Sequence, residues 1–249
     1  DMFDGHSYNK GGRILHMLRH YLGDDAFFKG LNLYLTSNQF KAAEFHHLRL
    51  AFEEVSGEDL NWFFNQWFLG KGHLILFTEY DVDKEKGIVT LKVKQRQNID
   101  DFPIYKIPTE VVVWSGDQMV KHEVVVDQLE QEFEFSFNGE LQNIQIDPSQ
   151  ALLAKVYEDK PASFFRHQYY NSRAYKSRAI ALKRACKMNT PETQKLLSDA
   201  LEDPFWDIRI GAASIASRIG CVASSDIMDK VLNMAKNDSI SKVRAAMLS

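Results

Sequence analysis

The chain has 249 residues, 45% hydrophobic and 26% charged, with a formal net charge of −4. This is an ordinary globular balance, and it gives no support for nucleic-acid binding. No apolar run approaches the ~18–20 residues that span a bilayer, no signal peptide is visible, and the two cysteines, Cys186 and Cys221, are too few for a disulfide framework.

Residues 1–72 read as helical. Ile14, Leu15, Leu18 and Leu22 recur at helical spacing, and Gly23 ends that run. The stretch "DDAFFKGLNLYLTSN" follows, with Asp24 or Asp25 available as a cap. Then come "AAEFHHLRLAFEEVSG" and "EDLNWFFNQWFLGKG", each closed by glycine. The aromatic-rich segment Trp62 to Phe68 reads as core or interface packing.

Residues 73–150 change period from 3.6 to 2. "HLILFTEYDV" and "GIVTLKVKQ" flank the turn-like "DKEKG", and "KIPTEVVVW" and "MVKHEVVVD" flank "SGDQ". Phe133, Phe135 and Phe137 alternate with Glu and Ser, so one strand face is apolar. Asn138-Gly139 is a hairpin signal. Six or so short strands suggest an antiparallel β-sandwich. "RQNIDDFPIYKIP", with its two prolines, reads as an edge or connecting segment.

Residues 151–249 turn helical from about Ser163 and contain an internal echo. "DPFWDIRIGAASIASRIG" resembles "NDSISKVRAAMLS": Arg209 matches Arg244, each followed by an Ala-Ala pair. A weaker copy places Arg178 one period earlier. The intervals of 31 and 35 residues suit two-helix solenoid repeats of the HEAT type. The chain opens Asp-Met-Phe and closes inside a helical pattern, so it reads as a piece of a longer protein.

Two histidines, His16 and His20, stand one helical turn apart, a spacing that can hold a metal. On a helical wheel both lie opposite the apolar stripe and close to Arg13. No third ligand accompanies them. Met17 occupies the position where H-E-x-x-H carries its glutamate, and Arg13 and Arg19 add positive charge. A solvated helix face is the reading for this pair. His46-His47 offers no better geometry. The sequence has no G-x-S-x-G and no phosphate-binding glycine loop. Gly11-Gly12 reads as helix-start packing.

Two stretches together resemble the aminopeptidase N family of zinc metallopeptidases, the gluzincin aminopeptidases. "SYNKGGRILHMLRHYLGDDAFFKGLNLYL" is similar to that family's S-Y-x-K-G segment and the helix behind it. "DLNWFFNQWFLGKGH" is similar to its F-x-Q-W-x-x-x-x-G-x-P, with Leu74 in place of the proline. Asn9 stands where an acidic residue is common. The resemblance implies a multidomain α and β protein. Residues 1–72 would be the helical half of a thermolysin-like catalytic domain, 73–150 an antiparallel β-sandwich and 151–249 truncated HEAT-like helical repeats.

The resemblance also implies a zinc peptidase that removes amino-terminal residues from peptides. It assigns one catalytic residue here, Tyr8, whose hydroxyl would donate to the oxyanion of the tetrahedral intermediate. The zinc ligands and the general base of such enzymes lie upstream of this motif. The expectation is therefore zinc in the full-length parent, no metal and no cofactor-binding residue in this chain, and no activity from it alone. A non-catalytic peptidase-like scaffold, using the helical repeats for protein interaction, is the alternative. Peptides are the expected partners; oligomeric state and compartment are not set by these residues.

Overall fold

The computed structural model describes residues 6–188, 190–217 and 225–247. Cys221 and the ends of the two echo segments, 218–220 and 248–249, lie outside these. The architecture is mixed α and β. A π-helical turn, His6–Lys10, leads into α1 (Gly11–Ser37), α2 (Phe45–Ser56) and α3 (Asn61–Phe64), with a second π-helical turn over Asn65–Leu69. Seven strands follow: β1 (Leu74–Asp83), β2 (Ile88–Gln95), β3 (Ile107–Ser115), β4 (Gln118–Val126), β5 (Glu130–Ser136), β6 (Leu141–Ile146) and β7 (Ala154–Glu158). The helices α4 (Ala162–Asn171), α5 (Tyr175–Lys187), α6 (Pro191–Leu201), α7 (Trp206–Ala216), α8 (Ser225–Asn237) and α9 (Ser241–Ala246) complete the described chain.

The break read at Gly23 is present. Its φ of 78° and ψ of 163° fall in a region open almost only to glycine, so α1 kinks there. Beyond the kink, α1 packs on α2 through Gly30, which lies directly against the fully buried ring of Phe52. Phe27 stacks on the same ring, with centroids 5.3 Å apart.

The strands form two sheets, β5-β2-β1-β7 and β4-β3-β6. All pairings are antiparallel except β1 with β7, which is parallel. The alternation read from sequence survives: Leu74 and Leu76 of β1, Val89, Leu91 and Val93 of β2, and Phe135 of β5 point inward. They meet Ile107, Val111 and Val113 of β3 and Ile144 and Ile146 of β6 in one apolar cluster. The outward face of the first sheet is a charge ladder, with Lys92 bridging Asp81 and Glu132. The two-proline segment connects β2 to β3 through Pro103, while its last residues, Ile107 and Pro108, already belong to β3 and pair with β4.

The Asn138-Gly139 hairpin is not formed. β5 pairs with β2 and β6 pairs with β3, so this dipeptide carries the chain from one sheet to the other. Gly139 has φ 76° and passes over the β3–β4 turn, close to Gly116. Gly139 supplies a bend with its positive φ, but the pairing partners were decided by burial. Phe135 and Phe137 are both buried, and the Phe137 N–H donates to Gly87 O at 2.8 Å. Strand β7 has no alternation strong enough to be read in sequence; its place is fixed by parallel pairing to β1.

The helices from α4 onward bury a second apolar cluster that includes Leu182, Leu196, Leu197, Ile208 and Val243. The sequence echo has a physical counterpart. Arg209 donates to Asp203 O at 2.8 Å, and Arg244 donates to Asp238 O at 2.6 Å, the same offset in each copy. The carboxylate of each aspartate is held by the arginine of the preceding copy: Arg178 on Asp203, Arg209 on Asp238. Tyr169 also donates to Asp203, at 2.6 Å.

Lys160 joins the two clusters. Its buried ammonium lies within hydrogen-bond distance of Glu158, Asn143 and Gln168. Burial lowers its pKa, and the Glu158 carboxylate opposes that shift.

Candidate functional site

Tyr8 sits in the middle of the π-helical turn that precedes α1. Such turns carry one extra residue per turn and recur at functional sites. Just beyond it, Ile14, Met17 and Leu18 are buried under the rest of the segment. Tyr8 by contrast is 64% exposed, so its side chain is not used as core. An added Cβ at Gly11 or Gly12 would meet nothing within 4 Å, so neither glycine is demanded by packing or close approach among the described residues.

The histidine pair stands as the wheel placed it in part. The rings of His16 and His20 lie edge to face, with centroids 4.7 Å apart. His20 is exposed, but His16 is half-buried. Burial lowers the His16 pKa first, and His20, Arg13, Arg19 and Lys176 lower it further. Positive neighbours that discourage a proton discourage a metal cation for the same reason. His47 serves the helix start, accepting the Glu44 N–H at 3.0 Å.

Arg13 does not belong to the solvated face that the wheel suggests for its neighbours; its hydrogen bonds are part-buried. Its guanidinium donates to the carbonyl oxygens of Gln150 and Leu152, the latter at 3.2 Å. Those carbonyls belong to the loop between β6 and β7. The same loop is organised by Asp147, whose buried carboxylate accepts the N–H groups of Ala151 at 2.7 Å and Leu152 at 3.0 Å. Nothing in the local sequence marks Arg13, because its partners lie 137 and 139 residues away.

The F-x-Q-W stretch does structural work. Gln66 clamps Lys106 from both sides, donating to its carbonyl at 2.9 Å and accepting its N–H at 2.8 Å. Trp67 stacks on Tyr105, with centroids 5.1 Å apart, and the Tyr105 hydroxyl donates to Lys71 O at 3.2 Å. Gly72, at φ 106°, lies against the Phe102 ring, where a side chain would collide. These contacts dock the first helices onto the sheets.

Among the described residues, no group of three or more His, Cys, Asp or Glu is placed to hold a metal ion. No helix among the described residues is long and apolar enough to cross a membrane.

The helical segment that begins at the π-helical turn is docked on two small sheets and followed by a helical array. Residues 1–67 match the family model described as the Peptidase family M1 domain, and the chain is related to the aminopeptidases of that family. It is 37% identical over 114 residues to Aminopeptidase N of Lactococcus lactis subsp. lactis, covering 44% of this chain and 13% of that protein. It is 30% identical over 139 residues to the puromycin-sensitive aminopeptidase of Caenorhabditis elegans, covering 53% of this chain and 14% of that protein. The matched part thus spans about a seventh of these relatives. In three dimensions the chain superposes on a crystal structure of Legionella pneumophila aminopeptidase A in complex with aspartic acid, with a TM-score of 0.71. That overlay covers 99% of this chain and 29% of that one at 16% identity, so it speaks to fold alone.

Proposed function

We propose that this chain is the carboxy-proximal part of a zinc-dependent M1-type aminopeptidase that removes amino-terminal residues from peptides. In this reading residues 1–72 complete a thermolysin-like catalytic domain, 73–150 are a β-sandwich whose first sheet also takes in β7 beyond the boundary expected at 150, and the helices from α4 onward are HEAT-like repeats. The two sheets sharing one apolar cluster support the second assignment, and the repeated arginine–aspartate contacts support the third.

One observation carries the functional part: within the segment matched to the M1 domain, Tyr8 is 64% exposed on a π-helical turn while Ile14, Met17 and Leu18 of the helix behind it are buried. A phenol is a neutral donor at neutral pH, able to bond an oxygen that gains charge only in the transition state. Tyr8 takes that role, donating from its hydroxyl to the oxyanion formed when water attacks the peptide carbonyl. Zinc, held by residues outside this chain, is the group that activates the water in such enzymes.

The test is Tyr8→Phe in the longer protein. The expected result is a fall in kcat of about 10²–10³ with KM and Tm little changed. Unchanged turnover removes Tyr8 from the mechanism. The 249-residue chain by itself is expected to show no aminopeptidase turnover and no stoichiometric zinc.

A further inference from the structure

A cavity of about 490 Å³ opens between α1, α3 and the β3–β4 hairpin, and Tyr8 does not line it. Its volume is in the range of small-molecule sites. One wall is aromatic, built from Tyr21, Trp62, Phe63 and Trp67. Tyr21 and Trp62 meet edge to face, with centroids 5.7 Å apart.

The facing wall is acidic. Glu110 of β3 and Glu123 of β4 stand directly opposite each other in the strand register, and both line the cavity. Like charges so placed destabilise a sheet unless a cation lies between them. Lys121 answers Glu110 at 3.2 Å, while Glu123 has no ion-pair partner among the described residues. The buried carboxylate of Asp147 also lines the cavity.

The aromatic wall already seats a cation. The ammonium of Lys106 lies 4.6 Å from the Trp62 ring centroid, with no carboxylate within ion-pair distance among the described residues. Lys106 is otherwise exposed, so its side chain can leave this seat without unfolding anything. Indole faces attract cations through the ring quadrupole.

We propose that this cavity binds a small organic ammonium ion with an apolar tail. The cation displaces Lys106 from the face of Trp62 and takes Glu123 as its counter-charge. The tail packs along Phe63 and Trp67. An anion would meet the carboxylates of Glu110, Glu123 and Asp147, and a neutral apolar molecule would leave Glu123 unanswered. The proposal stands whether or not the parent is a peptidase.

The test is isothermal titration of the full chain with phenethylammonium chloride, 2-phenylethanol and 3-phenylpropanoate, which share size and differ in charge. The ammonium is expected to bind at one site, about tenfold more tightly than the alcohol, with the carboxylate weakest. Glu123→Gln should weaken ammonium binding without lowering Tm, since it relieves the repulsion from Glu110, and Lys106→Met should strengthen binding with the fold retained because the residue is exposed. Equal binding of ammonium and alcohol, no binding of the ammonium, or ammonium affinity indifferent to both substitutions overturns the proposal.

Discussion

The guanidinium of Arg13 donates to the carbonyl oxygen of Leu152 at 3.2 Å, joining the first long helix to a loop more than half the chain away. The bond is part-buried, and the same guanidinium reaches Gln150 O. Burial lowers the Arg13 pKa, while the Asp147 carboxylate nearby raises it. A charged donor holding two carbonyls in partial burial is stronger than a surface ion pair. Arg13→Ala should therefore cost about 2 kcal/mol of unfolding free energy. Arg13→Lys should recover only part of it, since a lysine lacks the planar fork. Urea denaturation measures this, and an unchanged midpoint in Arg13→Ala would mean the contact is idle.

Asp147 gives a pH dependence. Burial pushes its carboxyl up to about 6, against the opposing pull of the Leu152 and Ala151 N–H groups and of Arg13. The folded chain thus holds this proton more tightly than the unfolded chain, whose carboxyl titrates at the ordinary value of 3.8. The contribution is fully present below about pH 4 and is lost as pH rises toward and through 6. It amounts to about 3 kcal/mol at most. Asp147→Asn should flatten the fall in stability between pH 4 and 7, measured by chemical denaturation at each pH. Parallel profiles for the two proteins would contradict the assignment.

Arg209 and Asp238 form a two-pronged pair at 2.8 and 2.9 Å, with both side chains largely buried. Removing one partner strands the other charge in a poorly solvated place. Asp238→Ala should lower stability by about 3 kcal/mol. The Arg209 hydrogen bond also holds the Asp238 carboxyl below its ordinary pKa. That stability is present above the unfolded value of 3.8 and lost as pH falls through the lower folded value. An acid titration of Asp238→Asn beside the parent chain isolates it: the parent should lose the larger share below pH 4, and equal losses would rule the pair out.

Gly30→Ala tests helix packing. The new methyl would stand 2.4 Å from the Phe52 ring, and Phe52 is fully buried with Phe27 stacked against it. Helix propensity favours alanine by about 1 kcal/mol at a solvated site. Here overpacking of about 1–3 kcal/mol opposes that gain. A net fall in Tm is expected, and a rise would show that α1 and α2 can separate at little cost.

Local rules were legible wherever the cause was local. Gly23 breaks α1 because its dihedrals suit glycine, and the period-2 runs from Leu74 became strands because one face is apolar. The arginine echo at Arg209 and Arg244 was visible as spacing and proved to be the same carbonyl contact made twice. Asn138-Gly139 was misread because a turn dipeptide specifies a bend and leaves the next pairing partner open. Phe137, buried between the sheets, decided that the chain crosses instead of folding back.

By itself the sequence determined the helical and strand regions up to β6 and their apolar faces, all properties of residues within a few turns of one another. Only the tertiary structure decided which strands share a sheet, that β7 closes one by parallel pairing, and that Arg13 is a tie between distant segments. It also decided that Trp62, Glu123 and Lys106 face one cavity. These depend on which surfaces can be buried together, a condition set by the whole chain at once and written at no single place along it.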